Sequence, residues 1–161
     1  MLKYSVIGTS WITKSFIEGA NLYEDLSLDG VYSRSFEKGI AFAEETGAKR
    51  VFTDVNDLAS SDTDFVYVAS PNVCHYEQCK LLLLNGKHVI CEKPMLANAE
   101  QIKEMFALAK EQKCFLMEAH KTCFTVLNRT LKPIIEEKIG KIEHIYGKYC
   151  STPDLDKLKR A

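Results

Sequence analysis

GKHVICEKP, residues Gly86–Pro94, predicts a short buried strand, His88 to Cys91, that delivers the ionisable pair Glu92 and Lys93 onto a proline turn. A helical pattern and a glycine precede it, so the local order is helix, turn, strand. In a parallel sheet, ligands bind in the crevice beyond the carboxyl ends of the strands. Lys93 falls at such an end and is therefore the first candidate for a catalytic group.

Strands and helices alternate on both sides of this stretch. The patterns predict strands at 2–7, 28–33, 51–52, 64–69, 88–91 and 114–117, and helices at 11–22, 36–45, 73–85 and 99–112. Ser35, Asp54 and Asn98 are expected to cap helices, and Gly47 to end one. The alternation indicates βαβ crossovers. We therefore predict an α/β fold over residues 1–119, a doubly wound, mostly parallel, Rossmann-like sheet.

The pattern changes after this domain. Thr125 to Lys138 predicts a helix that contains Pro133, and Ile142 to Cys150 predicts a single strand. A lone strand has no partner within the remaining residues. We expect residues 120–161 to be the start of a second α/β domain that is truncated.

Composition excludes several classes of function. The 161 residues are 46% hydrophobic and 27% charged, with a net charge of −1, as in a soluble globular protein. Since no stretch gathers lysine and arginine, nucleic acid is not an expected partner. No apolar run reaches membrane-spanning length. The six cysteines form no C-x-x-C pair, which argues against a metal site and favours free thiols in the cytoplasm.

The first strand ends in a turn, Gly8-Thr9-Ser10-Trp11-Ile12-Thr13, that has the frame of G-x-G-x-x-G but keeps only its first glycine. A dinucleotide site needs a tight turn and backbone N–H groups at a helix N-terminus for the pyrophosphate. Gly8 meets the first need, and Thr9, Ser10, Trp11 and Ile12 are candidates for the second. An ordinary βα turn explains this hexapeptide equally well.

The end of the second strand offers Ser33 and Arg34 where a carboxylate would bind a ribose 2′-hydroxyl. A guanidinium suits a 2′-phosphate, which it can grip with two hydrogen bonds. This favours NADP over NAD as cofactor, although NAD remains open. A solvated loop arginine is the alternative of similar weight.

Ser70-Pro71-Asn72 follows the central strand, with His75 in the next helical turn. We expect Ser70, Pro71, Asn72 and His75 to lie near the cofactor, His75 as a neutral ring facing the ribose or nicotinamide. The alternatives are that Asn72 is a helix N-cap and that His75 is structural.

Glu92-Lys93-Pro94 could be a solvated charged turn. Its position at a strand end instead favours a site, where the Lys93 ammonium would orient a substrate hydroxyl and stabilise a developing alkoxide. Pro94 would fix the backbone that aims the lysine, and a cis peptide bond is one way to do so.

These motifs together resemble the glucose-fructose oxidoreductase, inositol dehydrogenase and MocA (Gfo/Idh/MocA) family. The resemblance rests on Val6-Ile7-Gly8, on Ala69-Ser70-Pro71-Asn72 with His75, and on the stretch from Gly86 to Pro94. It implies an N-terminal Rossmann domain that binds NAD or NADP, with Lys93 in the active site and Asn72, His75, Glu92 and Pro94 near the cofactor.

The resemblance further implies a larger C-terminal domain that binds a sugar-like or polyol-like substrate and forms a homo-oligomer in a full-length form. A D-x-x-x-H segment of that domain, which usually supplies a second catalytic group, has no counterpart in these residues.

Three hypotheses follow. The first is an NAD(P)-dependent oxidoreductase that moves a hydride between nicotinamide and the carbinol of a sugar, polyol or related small molecule. The second is a non-catalytic NAD(P)-binding fragment or truncated gene product. The third, a Rossmann-like methyltransferase, is weaker because it gives Glu92, Lys93 and Pro94 no role.

Overall fold

A computed structural model describes residues 1–144 and 146–148. The chain divides into two compact units, Met1–His120 and Lys121–Ala161.

The first unit is built on a six-stranded sheet in which each neighbouring pair is parallel. The strand order is β3-β2-β1-β4-β5-β6, so the chain winds outward from β1 in two directions. This confirms the predicted doubly wound α/β fold. The strands are β1 (Leu2–Ile7), β2 (Leu26–Tyr32), β3 (Arg50–Phe52), β4 (Phe65–Val68), β5 (His88–Glu92) and β6 (Leu116–Ala119).

Helices connect these strands. They are α1 (Trp11–Ala20), α2 (Phe36–Thr46), α3 (Val55–Ala59), α4 (His75–Leu84) and α5 (Ala99–Glu111). Ser35, Asp54 and Asn98 accept backbone hydrogen bonds as N-caps, and Gly47 ends α2 with a φ of 79°. The predicted caps are therefore confirmed.

Alternation along the central strands buries side chains on both faces of the sheet. In β1, Val6 packs into one apolar cluster with residues of α1 and α2, whereas Ile7 packs into another with residues of α3, α4 and α5. In β4, Tyr67 and Val68 divide in the same way. Burial of each large apolar side chain contributes about 1.5–3 kcal/mol, so both layers of helices hold the sheet.

Several predicted boundaries were wrong by one or two residues; β2, for example, begins at Leu26 rather than Leu28, and α4 begins at His75 rather than Val73. Helix α1 ends at Ala20, where the prediction ran to Leu22. Strand β6 begins at Leu116 rather than Cys114, because the backbone turns at Lys113 with a φ of 54° and the Cys114 N–H bonds to the Ala109 carbonyl. The shift sets Glu118 beside Cys91.

Charged groups pair at the amino ends of the strands. Arg50 binds the buried Asp29 and also Asp62, and Asp62 binds Lys3. The Lys3 hydrogen bond, followed by the Arg50 hydrogen bond, holds the pKa of Asp62 well below its usual value. This end of the sheet therefore satisfies its charges internally.

The second unit contains helix α6 (Val126–Ile134), with Thr125 as its N-cap and Pro133 inside it, and a π-helical turn at Ile135–Ile139. The strand expected at Ile142 to Cys150 was wrong where it can be checked, because residues 142–144 and 146–148 are not in a strand and the rest lies outside the described residues. A strand needs a hydrogen-bonded neighbour. Among the described residues, we find no helix long and apolar enough to cross a membrane.

Candidate functional site

A cleft of about 710 Å³ opens at the carboxyl ends of β1, β2 and β4. That volume suits a small-molecule ligand. The residues that line it are Ile7, Gly8, Thr9, Ser10, Tyr32, Ser33, Arg34, Ser35, Lys38, Ala69, Ser70, Pro71, Cys74 and Gln78.

The floor of the cleft is the turn after β1, which requires glycine at position 8. Gly8 has a φ of 105°, and a Cβ atom there would lie 2.7 Å from the Ala69 carbonyl oxygen. The turn therefore leaves no room for a side chain between position 8 and the backbone that follows β4. Thr13 stands at the third glycine position of the motif and is fully buried, so its side chain fits under the turn.

The N-terminus of α1 points its first N–H groups at this turn. Ser10 is its N-cap residue, but within the described chain its side chain makes no capping hydrogen bond, and the first turn of α1 carries no acid. By contrast, α2, α3 and α5 each have a side-chain cap and an acidic residue in the first turn. The positive end of α1 is therefore left for an outside anion, as a pyrophosphate would require.

Two cations stand over the β2 side of the cleft. Arg34 and Lys38 both line it, and within residues 1–144 and 146–148 neither side chain forms an ion pair. Ser33 is buried, and its hydroxyl accepts a hydrogen bond from the Ser35 N–H at 3.3 Å. The carboxylate nearest in sequence, Glu37, accepts a hydrogen bond from the Ser35 hydroxyl. The arrangement offers two unpaired positive charges to a phosphate.

The β4 side of the cleft begins at Ser70, whose hydroxyl donates to Gln78 Oε1 at 2.6 Å. Asn72 was expected near the cofactor, with the N-cap of the following helix as the alternative, and it does not occupy that N-cap position. Asn72 opens a 3-10 turn, Asn72–Cys74, and α4 begins only at His75. The chain enters that turn from the extended backbone of Pro71, whose carbonyl accepts a hydrogen bond from the Cys74 N–H.

His75 is fully buried. Its Nδ1 atom lies 3.1 Å from the Pro94 carbonyl oxygen, and its Nε2 atom lies 2.9 Å from the Ser70 carbonyl oxygen. The structure thus differs from the expected contact with ribose or nicotinamide, because both ring nitrogens face the protein's own backbone.

Lys93 follows β5, next to β4 in the sheet, and its side chain is exposed. The preceding carboxylate is fixed, since the Tyr67 hydroxyl donates to Glu92 Oε1 at 2.7 Å. Burial, reinforced by Glu92, raises the pKa of Tyr67 well above its usual value, so its hydroxyl remains a donor. The Lys93–Pro94 peptide bond is cis, and the Met95 N–H donates to Glu118 Oε1 at 2.8 Å. The turn is therefore tied to both flanking strands.

The structure gathers seven of the predicted cofactor residues around one cleft: Gly8, Thr9, Ser10, Ser33, Arg34, Ser70 and Pro71. Trp11, Ile12, Asn72, His75, Glu92, Lys93 and Pro94 are not among the residues lining it.

Sequence reasoning missed Lys38 and Gln78. Lys38 lies in the first turn of α2, close in sequence to the end of β2, and a basic residue at that position is the signal that could have identified it. Gln78 lies three residues after His75 on α4 and had no comparable signal. Among the described residues, no cluster of three or more His, Cys, Asp or Glu side chains could hold a metal ion.

Comparison with known proteins is consistent with this geometry. A family model described as Gfo/Idh/MocA, "Oxidoreductase family, NAD-binding Rossmann fold", matches residues 2–120. The chain is 43% identical over 151 residues to scyllo-inositol 2-dehydrogenase (NADP(+)) IolU of Bacillus subtilis, and the match covers 93% of this chain and 46% of that protein. It is 33% identical over 143 residues to 1,5-anhydro-D-fructose reductase of Ensifer adhaerens, covering 88% and 43%.

A solved structure has the same fold. KijD10, a 3-ketoreductase from Actinomadura kijaniata in complex with NADP and TDP-benzene, superposes with a TM-score of 0.80 at 26% identity, covering 86% of this chain and 43% of that one. The chain thus spans about half the length of the relatives it matches. Since the family model covers most of the sequence and the sheet has the corresponding topology, the chain belongs to the Gfo/Idh/MocA oxidoreductase family.

Proposed function

We propose that this chain supplies the cofactor-binding half of an NADP-dependent oxidoreductase that acts on a sugar, a polyol or a related small-molecule carbinol. The observation that carries the proposal is a pair of cations, Arg34 and Lys38, which form no ion pair with the residues that the structure describes and lie beside a glycine turn and a helix N-terminus without a side-chain cap among those residues. A dinucleotide with a 2′-phosphate places negative charge at both positions. The names of the relatives, an NADP(+)-linked inositol dehydrogenase and a sugar reductase, support the same substrate class.

Each part of the cleft has a proposed task. The α1 N-terminus, with Gly8, Thr9, Ser10, Trp11 and Ile12, holds the pyrophosphate, and Ser33, Arg34 and Lys38 hold the 2′-phosphate. The segment Ser70–Asn72 lies near the proposed position of the nicotinamide. The turn with Glu92 and Pro94 is the next segment along this side of the site. When bound, the oxidised cofactor NADP+ would accept the hydride that a carbinol carbon loses, and in the reverse direction NADPH would supply the hydride that the carbonyl carbon gains.

Lys93 is the proposed catalytic residue. Its ammonium would hydrogen-bond the reacting substrate oxygen and stabilise the alkoxide as the hydride leaves the carbon. The hydroxyl proton must pass to a basic acceptor before or as the hydride leaves, and the family resemblance assigns that acceptor to a further domain. We propose that residues 120–161 begin that domain, that a full-length form is a homo-oligomer, and that the protein works in the cytoplasm.

A titration of the purified chain with NADPH and with NADH, followed by cofactor fluorescence, tests the proposal. We expect tighter binding of NADPH, and about tenfold weaker NADPH binding for Arg34→Ala and for Lys38→Ala with NADH unchanged, because each lost contact to a phosphate removes a charge-assisted hydrogen bond. Lys3→Ala is the matched control, since Lys3 is already paired with Asp62.

The outcomes separate the parts of the proposal. Equal affinity for the two cofactors, or unchanged affinity in Arg34→Ala, would remove NADP specificity. Absence of binding to either cofactor would overturn the proposal as a whole.

A non-catalytic NAD(P)-binding module is the second candidate. It is favoured by one observation, that every residue lining the cleft belongs to the compact unit Met1–His120. A chain that binds NADPH tightly but turns over no polyol, sugar or keto-sugar would support it over the enzyme.

A further inference from the structure

His75 joins two segments that are distant in sequence. Its ring lies between the carbonyl of Ser70, at 2.9 Å from Nε2, and the carbonyl of Pro94, at 3.1 Å from Nδ1. The side chain is fully buried at the start of α4. Since a buried ring in contact on both sides cannot rotate freely, it fixes the separation of the two carbonyls.

The two joined segments have different proposed tasks. Ser70 lines the cleft, and its hydroxyl is held by Gln78. Pro94 directly follows Lys93, which is exposed beyond β5. His75 itself does not line the cleft. The His75 side chain thus contacts both Ser70, in the wall of the cleft, and Pro94, in the turn that carries Lys93. It is not placed to touch the cofactor or the substrate.

The contacts of the His75 ring with Ser70 and with Pro94 can be removed one at a time. Both partners of the ring are carbonyl oxygens, which only accept, so a neutral imidazole donates to one of them at a time and only an imidazolium would donate to both. Either carbonyl left without a donor in this partly buried position would lose a hydrogen bond. The turn has further ties, from Tyr67 to Glu92 and from the Met95 N–H to Glu118. Loss of the His75 bridge would therefore loosen the turn without releasing it.

We propose that His75 is a positioning residue that sets the distance between the cofactor cleft and the Lys93 turn. The expected effect of His75 on NADPH binding rests on the proposed function, but the contacts of His75 with Ser70 and Pro94 can be tested without cofactor. Loosening at Ser70 would weaken NADPH binding, whereas loosening at Pro94 would affect only the turn.

Three variants separate the two links. In His75→Gln the side-chain amide nitrogen reaches the place of Nε2 and keeps the link to Ser70. In His75→Asn the amide nitrogen takes the place of Nδ1 and keeps the link to Pro94. His75→Phe retains a ring but removes both ring nitrogens. His88→Gln is the matched control, because His88 Nδ1 accepts a hydrogen bond from the Phe115 N–H at the other end of β5.

Hydrogen exchange of two amides reports on the two segments. The Ala69 N–H bonds to the Ile7 carbonyl beside Ser70, and the Met95 N–H bonds to Glu118 beside Pro94. In the cofactor-free chain we expect faster exchange at both amides in His75→Phe, at Met95 only in His75→Gln, and at Ala69 only in His75→Asn. The increase should reach at most about tenfold, because a neutral His75 ring donates to one carbonyl at a time. The control should change neither amide.

NADPH titration provides the second measurement. We expect about tenfold weaker binding for His75→Phe and for His75→Asn, and affinity close to that of the unmodified chain for His75→Gln. This pattern of rescue would not arise from a general loss of stability, which the unfolding midpoint of each variant measures separately.

Unchanged exchange at both amides in His75→Phe would overturn the proposal. If that variant does not fold, the Gln and Asn variants decide, and identical behaviour of these two at both amides would equally overturn it. If the unmodified chain does not bind NADPH, the proposed function fails, while the exchange measurements still decide whether His75 forms the bridge.

Discussion

At the amino ends of the strands, charged groups pair with one another: Lys3 and Arg50 bind Asp62, and Arg50 also binds Asp29. At the carboxyl ends, no ion pair within the described part of the chain involves Arg34, Lys38 or Lys93. Both ends belong to one sheet and draw on the same few residue types. Paired charges stabilise the folded chain but have little left to offer a ligand. Unpaired cations that converge on a cleft contribute little to folding and much to binding an anion.

The glycines follow the same division. Gly8 lies at the carboxyl end, where a Cβ would meet the Ala69 carbonyl oxygen at 2.7 Å. Gly47 and Gly86 precede β3 and β5 at the amino end and have positive φ angles, and a Cβ added to either would have no neighbouring atom within 4 Å. Of these three glycines, only Gly8, at the carboxyl ends of the strands, lies against another stretch of backbone.

The largest expected effect comes from Gly8→Ala. Left-handed backbone strain and the clash with Ala69 together should lower the free energy of unfolding by about 2–4 kcal/mol and abolish NADPH binding. Urea denaturation measures the first and fluorescence titration the second. Gly47→Ala, which meets only the strain, should cost about 1 kcal/mol. Equal losses in the two variants would contradict the crowding at Gly8.

The next effect tests the charges directly. Arg50→Ala should lower the free energy of unfolding by about 1–3 kcal/mol, because the buried carboxylate of Asp29 loses its charged partner and keeps the hydrogen bond from the Thr63 hydroxyl, and should leave NADPH affinity unchanged. Arg34→Ala should do the reverse, with a change in stability of about 0.5 kcal/mol or less. Urea denaturation of both variants checks the contrast, and a destabilised Arg34→Ala would break it.

Removing the hydroxyl of each of two core tyrosines should change the free energy of unfolding by a smaller amount, in different directions for the two residues. Tyr67→Phe removes the donor to Glu92 and should cost about 1 kcal/mol. Tyr4→Phe removes a buried hydroxyl for which the described residues provide no hydrogen-bond partner, so it should be neutral or slightly stabilising. Burial raises the pKa of Tyr4 to about 12, which keeps that hydroxyl protonated at ordinary pH. Similar losses of stability from both substitutions, measured by urea denaturation, would indicate that the Glu92 bond does not hold in solution.

The smallest effect concerns acid. The folded-state pKa of Asp62 lies below its usual value of 3.8 because of Lys3 first and Arg50 second. Its ion pairs therefore stabilise the fold at pH values above the unfolded-state pKa, and this contribution is lost as the pH falls through the folded-state pKa. Thermal melts across the acid range should show a shallower loss of stability in Asp62→Asn than in the unmodified chain. Asp25→Asn serves as the control, and identical curves for all three proteins would refute the effect.

Most of the sheet could be predicted because its signals are local. Alternating apolar residues, a cap such as Ser35 and a terminal glycine such as Gly47 act within a few residues of one another. The strand β6 was displaced by two residues because nothing in the sequence marks Lys113 as the turn. The strand expected from Ile142 failed over the described residues, since strand formation depends on a neighbour and not on apolar pattern alone.

The site was predicted in part. The glycine turn and Arg34 follow strand ends, and strand ends can be found in a sequence. Lys38 lines the cleft from the first turn of α2, and its place there depends on how α2 packs beside β2. Asn72 opens a 3-10 turn after Pro71 and does not cap α4.

By itself, the sequence determined that strands and helices alternate, that a glycine turn follows the first strand, and that Lys93 stands at a strand end. These properties depend on local periodicity and local backbone preference. Only the tertiary structure decided which charges pair and which stay available, and that both nitrogens of His75 face backbone carbonyls far apart in the chain. Pairing and burial depend on which elements become neighbours in space, and sheet order sets those neighbours over distances that local sequence patterns do not encode.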